Sequence, residues 1–304
     1  MAATGVGKTV IAAFDFKRYL EKHPDARLLF VAHRQEILEQ SRQQFREVLN
    51  DFNFGQLFVG QYKPDSVDQL FTSIQSFNSG KMADLLPSDY YDFIIVDEFH
   101  HAAAKSYQQL LSHFQPKILL GLTATPDRMD GQDILQYFDG RVAAEMLLGE
   151  AIDRQLLCPF QYFGVTDSVD YSKLKWSRGQ YEVSELENVY TADDARAKLV
   201  LKNVQRYCND LGEVKGLGFC VSVKHAEFMA ARFNQAGIKS AALSGQSSQA
   251  DRHQAKSDLT AGKLKFIFVV DLYNEGVDIP CVNTILFLRP TQSPTVFLQQ
   301  LFPY

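Results

Sequence analysis

The sequence predicts an α/β protein built as two tandem units, each with a mainly parallel sheet. Short apolar, β-branched runs alternate with longer segments of helical period, the pattern of strands covered by helices on both faces. That rhythm breaks in a polar stretch at about 166–194 and restarts after about Lys215. The length of 304 residues fits about two domains at roughly 150 residues each.

In chain order, residues 9–20 read as a helix, 28–32 as a strand buried on both faces and 35–49 as a second helix. A strand at 93–96, a helix at 104–114 and a strand at 118–122 complete the first unit, expected to span 1–145. The second unit, expected at 146–304, begins with a polar excursion at about 166–194 that holds the single tryptophan, Trp176. A core strand could not bury so many Asp, Ser, Lys and Glu side chains, so this excursion is expected at the surface. Helices at 195–208, 225–236 and 249–261 and strands at 266–270 and 284–287 follow.

Composition narrows the function classes. Lys and Arg total 31 against 36 Asp and Glu, a net charge of -5, so the chain as a whole lacks the basic footprint of an obligate nucleic-acid binder. Any contact with nucleic acid must be local. Cys158, Cys208, Cys220 and Cys281 never approach a C-x-x-C spacing, which predicts buried, reduced thiols rather than a zinc or disulfide framework. No apolar run reaches the ~20 residues of a membrane span, and no signal pattern opens the chain; a cytoplasmic protein without a membrane partner is expected.

Chemistry first shows in Thr4-Gly5-Val6-Gly7-Lys8-Thr9, the second half of a P-loop. Gly5 and Gly7 let backbone N–H groups approach phosphates, the following helix adds its positive end, Lys8 supplies a point charge and Thr9 offers a hydroxyl to Mg²⁺. A Gly-rich turn before a helix is the plain alternative. It loses ground to Ile94-Ile95-Val96-Asp97-Glu98, an apolar strand ending in two carboxylates. One carboxylate can hold a metal ion while the other deprotonates water, so Asp97 and Glu98 with Lys8 point to nucleoside triphosphate hydrolysis.

Asp97-Glu98-Phe99-His100 and Thr123-Ala124-Thr125-Pro126 resemble motifs II and III of superfamily 2 helicases of the DEAH-like branch, with Phe99 in place of the usual alanine. The resemblance continues at Val31-Ala32-His33-Arg34-Gln35-Glu36, at Thr72-Ser73-Ile74-Gln75-Ser76 and at Asn274-Glu275-Gly276-Val277-Asp278-Ile279-Pro280. The wording is most similar to the type III restriction-subunit-like bacterial helicases, some of which carry a fused nuclease module. The resemblance implies two RecA-like domains, ATP and Mg²⁺ as cofactors, and nucleic acid as partner, DNA before RNA. It implies that Lys8, Thr9 and Asp97 serve phosphates and Mg²⁺, that Glu98 is the catalytic base, and that His100, Thr123, Thr125 and Gln299 couple hydrolysis to movement. Gly276 and Asp278 would approach the nucleotide, and Arg34, Thr72, Gln75 and Ser222 the nucleic-acid backbone.

Two departures from the pattern shape the remaining expectations. The chain opens inside the P-loop, which predicts a first unit without its first strand. Phe297-Leu298-Gln299-Gln300-Leu301 matches the start of motif VI, but Phe302-Pro303-Tyr304 stands where the family carries arginines. An arginine finger contributes roughly 10³ to 10⁵ in rate. A truncated, weakly active helicase core is therefore expected, with a degenerate module that binds nucleotide and nucleic acid without turnover as the alternative.

Overall fold

The computed structural model describes every residue except 103, 125–133, 168, 178–179, 193, 209, 271–278, 280, 291–296, 298–299 and 302–304. The chain packs as two units, Met1–Pro159 and Phe160–Tyr304. In the first, α1 (Lys8–Leu20), β1 (Leu28–Ala32), α2 (Gln35–Leu49), β2 (Gln56–Phe58), β3 (Gln69–Ser73), α3 (Ile74–Ser79), α4 (Met82–Leu85), β4 (Phe93–Val96), α5 (Lys105–His113), β5 (Ile118–Gly121) and α6 (Leu148–Asp153) follow in order. The strands form one parallel five-stranded sheet, β2-β3-β1-β4-β5.

Every residue of β1 and β4 is buried. Alternation of side chains across the pleat gives the two central strands two cores. Leu28, Phe30 and Ala32 pack with Phe16 of α1 and Phe45 of α2, while Leu29 and Val31 pack with Ile94, Val96 and Leu110 on the opposite face. Buried Ile37, Leu38, Ser41 and Phe45 fall on one stripe of α2, the helical spacing that selected this segment as a helix. Because all strands are parallel, their carboxyl ends emerge on one edge. Asp97 follows β4 there and His33 follows β1.

The N-terminal residues pair with two later segments of the first unit. Ala2 N–H donates to Thr123 O (3.0 Å), Ala3 N–H donates to Met146 O (3.0 Å), and Ala2 and Met146 form a parallel bridge. The same pairing explains why the first unit continues past the expected end at 145: Met146, buried Ala151 and buried Leu157 pack with it.

The second unit contains a short antiparallel hairpin, β6 (Trp176–Ser177) with β7 (Gln180–Tyr181), then α7 (Val183–Thr191), α8 (Ala195–Tyr207), β8 (Gly216–Phe219), α9 (Val223–Gln235), β9 (Ser240–Leu243), α10 (Gln249–Thr260), β10 (Phe266–Val269) and β11 (Thr284–Phe287). Its parallel sheet runs β11-β8-β10-β9. Phe266 and Phe268 face Met229 and Phe233 of α9, whereas Ile267 and Val269 face Ala255 and Leu259 of α10. Strand β8 escapes a hydrophobicity reading because it is half glycine. A Cβ on Gly216 would lie 2.1 Å from the Phe266 ring, and one on Gly218 2.4 Å from the Phe268 ring.

The excursion at 166–194 is not simply surface. Leu186 and Tyr190 of α7 are buried, and polar groups anchor the segment. Arg196 donates through Nε to Asp167 (3.1 Å) and stacks 3.5 Å over the Tyr190 ring; Tyr171 donates to Asp167 (3.1 Å). Trp176 remains 56% exposed, as expected. All four cysteines are free, but only Cys220 is buried and Cys158 is exposed, which corrects the expectation of uniformly buried thiols. Among the described residues no helix is long and apolar enough to cross a membrane.

Candidate nucleotide site

Glycine conformation shapes the loop before α1. Gly5 and Gly7 have φ of 87° and 84°, left-handed values that cost a side-chain-bearing residue energy, and Gly7 caps the helix whose first residue is Lys8. Lys8 Nζ donates to Ala2 O (3.2 Å), and Ala2 N–H in turn donates to Thr123 O. Thr9 follows in the first turn, half-buried.

Across the sheet edge, Asp97 and Glu98 are 8% and 6% exposed, too buried for two solvated surface acids. Asp97 Oδ1 accepts from Glu98 N–H (3.0 Å). Glu98 itself adopts φ 49°, ψ 54°, a left-handed conformation that costs a non-glycine residue about 1–3 kcal/mol. The turn redirects the chain so that His100 Nδ1 lies 3.3 Å from Glu98 Oε2 and 3.2 Å from Thr123 Oγ1. A run of hydrogen bonds thus leads from Lys8 through Ala2 and Thr123 to His100, whose Nδ1 also approaches Glu98 Oε2. Burial, and then the charge of Glu98, pushes the Asp97 carboxyl up to about 7; Lys8 and His33 oppose this.

The residues present fit a polyphosphate with a divalent cation. Buried Thr4 Oγ1 has no hydrogen-bond partner among the described residues, and burial together with the neighbouring Glu98 charge disfavours ionisation of the Asp97 carboxyl. A divalent cation held by Asp97 and the Thr9 hydroxyl would favour the ionised carboxylate. Among the described residues no group of three or more His, Cys, Asp or Glu forms a separate metal site.

Gly5, Gly7, Lys8, Thr9, Asp97, Glu98, His100 and Thr123 all belong to the first unit. Thr125, Gly276, Asp278 and Gln299 lie outside the described residues. The nucleic-acid set divides. Gln75 is exposed, and Arg34 is half-buried with Nε donating to His33 Nε2 (3.1 Å). Ser222 caps α9, accepting from His225 N–H (3.1 Å). Thr72 corrects the expectation: it is fully buried, and its hydroxyl donates to Phe58 O (2.9 Å), leaving nothing to offer a phosphate. His33 carries no functional signal in the sequence, yet it acts electrostatically on Asp97; the parallel pairing of β1 with β4 sets their strand ends side by side.

Two family descriptions match the chain: "Type III restriction enzyme, res subunit" over residues 1–128 and "Helicase conserved C-terminal domain" over 200–301. The "51.5 kDa protein" of Lactococcus phage (isolate 7-9) is 28% identical over 297 residues, 97% of this chain and 60% of that protein. The putative ATP-dependent helicase IRC3 of Saccharomyces cerevisiae is 24% identical, over 98% of this chain and 45% of its own length. The type I restriction enzyme EcoKI endonuclease subunit of Escherichia coli K12 is 24% identical over 98% of this chain and 30% of that protein. The chain spans about half the length of the first curated relatives it matches. Among solved structures, S. cerevisiae Dbp5 bound to RNA and ADP BeF3 superposes with TM-score 0.59 at 16% identity, covering 99% of this chain and 73% of that one. The Pyrococcus furiosus Hef helicase domain gives TM-score 0.58 at 15% identity, covering 99% and 88%. These likenesses establish two RecA-like α/β units as the fold.

Proposed function

Since the chain belongs to the superfamily 2 helicases of the restriction-subunit type, we propose that it is the core of an ATP- and Mg²⁺-dependent translocase that acts on DNA. The observation that carries this reading is the buried acid pair, Asp97 and Glu98, tied through His100 and Thr123 to the loop that holds Lys8.

In this reading the N–H groups around Gly5 and Gly7, with Lys8, bind the phosphates, while Thr9 and Asp97 hold Mg²⁺. The metal, when bound, supplies charge neutralisation to the phosphate oxygens. Glu98 takes a proton from the attacking water at a carboxylate oxygen, with His100 fixing the orientation of Oε2. Thr123 contacts both His100 and the P-loop side of the sheet, so it passes a change at the phosphates to the acid pair. Thr125, Gly276, Asp278 and Gln299 join this machinery by motif. Arg34, Gln75 and Ser222 supply the nucleic-acid contacts, Gln75 being the most exposed of the three. A few local contacts suit a motor that must release its track every cycle, which reconciles the acidic chain with a phosphate backbone as partner. The match to restriction-enzyme subunits favours DNA and extends the proposal to an associated nuclease in the whole protein.

The experiment is ATP hydrolysis by this chain with and without single-stranded DNA, duplex DNA or RNA. DNA-stimulated turnover that is lost in Lys8→Ala and Glu98→Gln supports the assignment. Turnover indifferent to nucleic acid, or retained in both variants, overturns it. Tight ATP binding with no turnover in the wild type selects the degenerate module instead.

A further inference from the structure

Residue 99 separates the acid pair from His100 and is the one large departure inside that motif. Phe99 is 1% exposed. Its N–H donates to Leu122 O (2.8 Å), and its ring lies 4.7 Å from the Phe138 ring and 5.7 Å from the Tyr137 ring. Both partners belong to the 3-10 turn Ile134–Phe138, whose Ile134 is also buried. Gly121, the last residue of β5, makes room for them: a Cβ there would fall 2.6 Å from Phe138 Cζ and 2.8 Å from the Phe99 ring. The Phe99 ring therefore sits in a socket of fixed size, floored by a glycine and closed by Phe138. Gln108 braces it from α5, donating to Tyr137 Oη (3.0 Å) and to Ala102 O (3.3 Å).

This socket lies directly after the only strained residue of the acid pair, since Glu98 holds a left-handed backbone conformation without being glycine. A side chain locked immediately after such a residue, and immediately before His100, fixes the direction in which both neighbours leave the backbone. We propose that Phe99 is a positioning residue: its ring, held between Gly121 and Phe138, sets the orientation of the Glu98 carboxylate and the His100 imidazole. In this chain, where Gly121, Tyr137 and Phe138 are shaped around a ring, truncating Phe99 to alanine would empty the socket and free the turn, and the 3.3 Å approach of His100 Nδ1 to Glu98 Oε2 would open. The catalytic consequence rests on the hydrolase reading above; the geometric consequence does not.

The test uses the full chain as Phe99→Ala, Phe99→Leu, Phe138→Ala and the double variant Phe99→Ala/Phe138→Ala. Two readouts keep the claims apart. The first is the imidazole NMR signal of His100, assigned by its disappearance in His100→Asn. It is expected to stand apart from a solvent-exposed histidine in the wild type and to move toward that position in Phe99→Ala and Phe138→Ala. The second is kinetic: kcat should fall about 10- to 100-fold in each single variant, while the dissociation constant for a fluorescent ATP analogue changes less than about threefold. Phe99→Leu, which refills most of the socket, should restore most of the kcat, and the double variant should be no worse than the poorer single. An unmoved His100 signal in both single variants overturns the proposal, as does an equal loss in binding and kcat. If the wild type shows no turnover, the hydrolase reading fails by itself and the His100 signal still decides the positioning claim. If Phe99→Ala does not fold, Phe138→Ala and Phe99→Leu carry both readouts.

Discussion

Among the described residues, the first unit holds a buried polar cluster and the second a partly buried one, and the two are built on opposite principles. In the second unit Asp167 is matched by the Arg196 guanidinium, which also stacks on Tyr190 and donates to Leu288 O (3.3 Å). In the first, Asp97 and Glu98 are adjacent acids, and the Asp97 carboxyl is driven up to about 7 by burial and its neighbour. A cluster whose charges are matched holds chain segments together. One in which burial and a neighbouring like charge disfavour ionisation, as at Asp97, costs stability instead. Arg196 thus serves as a strut for the excursion, whereas the acid pair is the site proposed for phosphate chemistry.

The contrast breaks most visibly if activity and stability respond to the wrong cluster. Glu98→Gln should lower turnover by about 10²- to 10⁴-fold with little change in melting temperature, measured by steady-state hydrolysis and differential scanning calorimetry. Arg196→Ala should do the reverse. Removing one partner from a largely buried pair is expected to cost roughly 2–3 kcal/mol of stability, seen as a lower urea midpoint, with Lys8-dependent nucleotide binding intact. If Arg196→Ala leaves stability unchanged, the strut is not a strut.

A smaller effect concerns pH. Because the folded Asp97 binds its proton more tightly than in the unfolded chain, the ionised group destabilises the fold increasingly as pH rises from about 4 to about 7. Melting curves in a chelator should show Asp97→Asn gaining stability over the wild type across that window, by about 1 kcal/mol. Added Mg²⁺ should shrink the gain, since the cation favours the ionised carboxylate. The second cluster predicts the opposite slope. His225, buried beside Arg196 and packed on Tyr190, is held neutral by desolvation, with its pKa lowered to about 3. Its folded form binds fewer protons than the unfolded chain between about 3 and 6.5, so its contribution to stability is complete above about 6.5 and is lost as pH falls. His225→Asn should flatten that acid limb by about 1 kcal/mol per pH unit, read from urea midpoints between pH 5 and 7. An unchanged limb would assign the acid sensitivity elsewhere.

The first unit was the more legible of the two, and the reason is contiguity. Gly5, Gly7, Lys8 and Thr9 form one short run, and Asp97 and Glu98 end an apolar strand, so both halves of the site are written in consecutive residues. Helix α2 falls where its periodicity puts it, since it meets the core with one stripe, and β11 falls on its apolar run, which packs on both faces of the sheet. Strands β2, β3, β8 and β9 left little trace. Gln56–Phe58 is too short for a period, and Gly216 and Gly218 are chosen to fit the rings of Phe266 and Phe268 on the adjacent strand. Thr72 shows the limit of reading a motif alone, because its burial depends on the pairing of β3 with β1 and β2.

The sequence by itself determined the α/β class and the order of the main helices and strands, and it carries the motifs on which the proposed chemistry of the phosphate loop and acid pair rests. These depend on residue types a few positions apart, which local sterics and helical or strand periodicity fix. Only the tertiary structure decided that Met1–Ala3 pair with residues 123 and 146, that Asp167 meets Arg196, and that Phe99 fills a socket floored by Gly121. Those contacts join residues far apart in the chain, and their energies come from burial and charge pairing that no single segment contains.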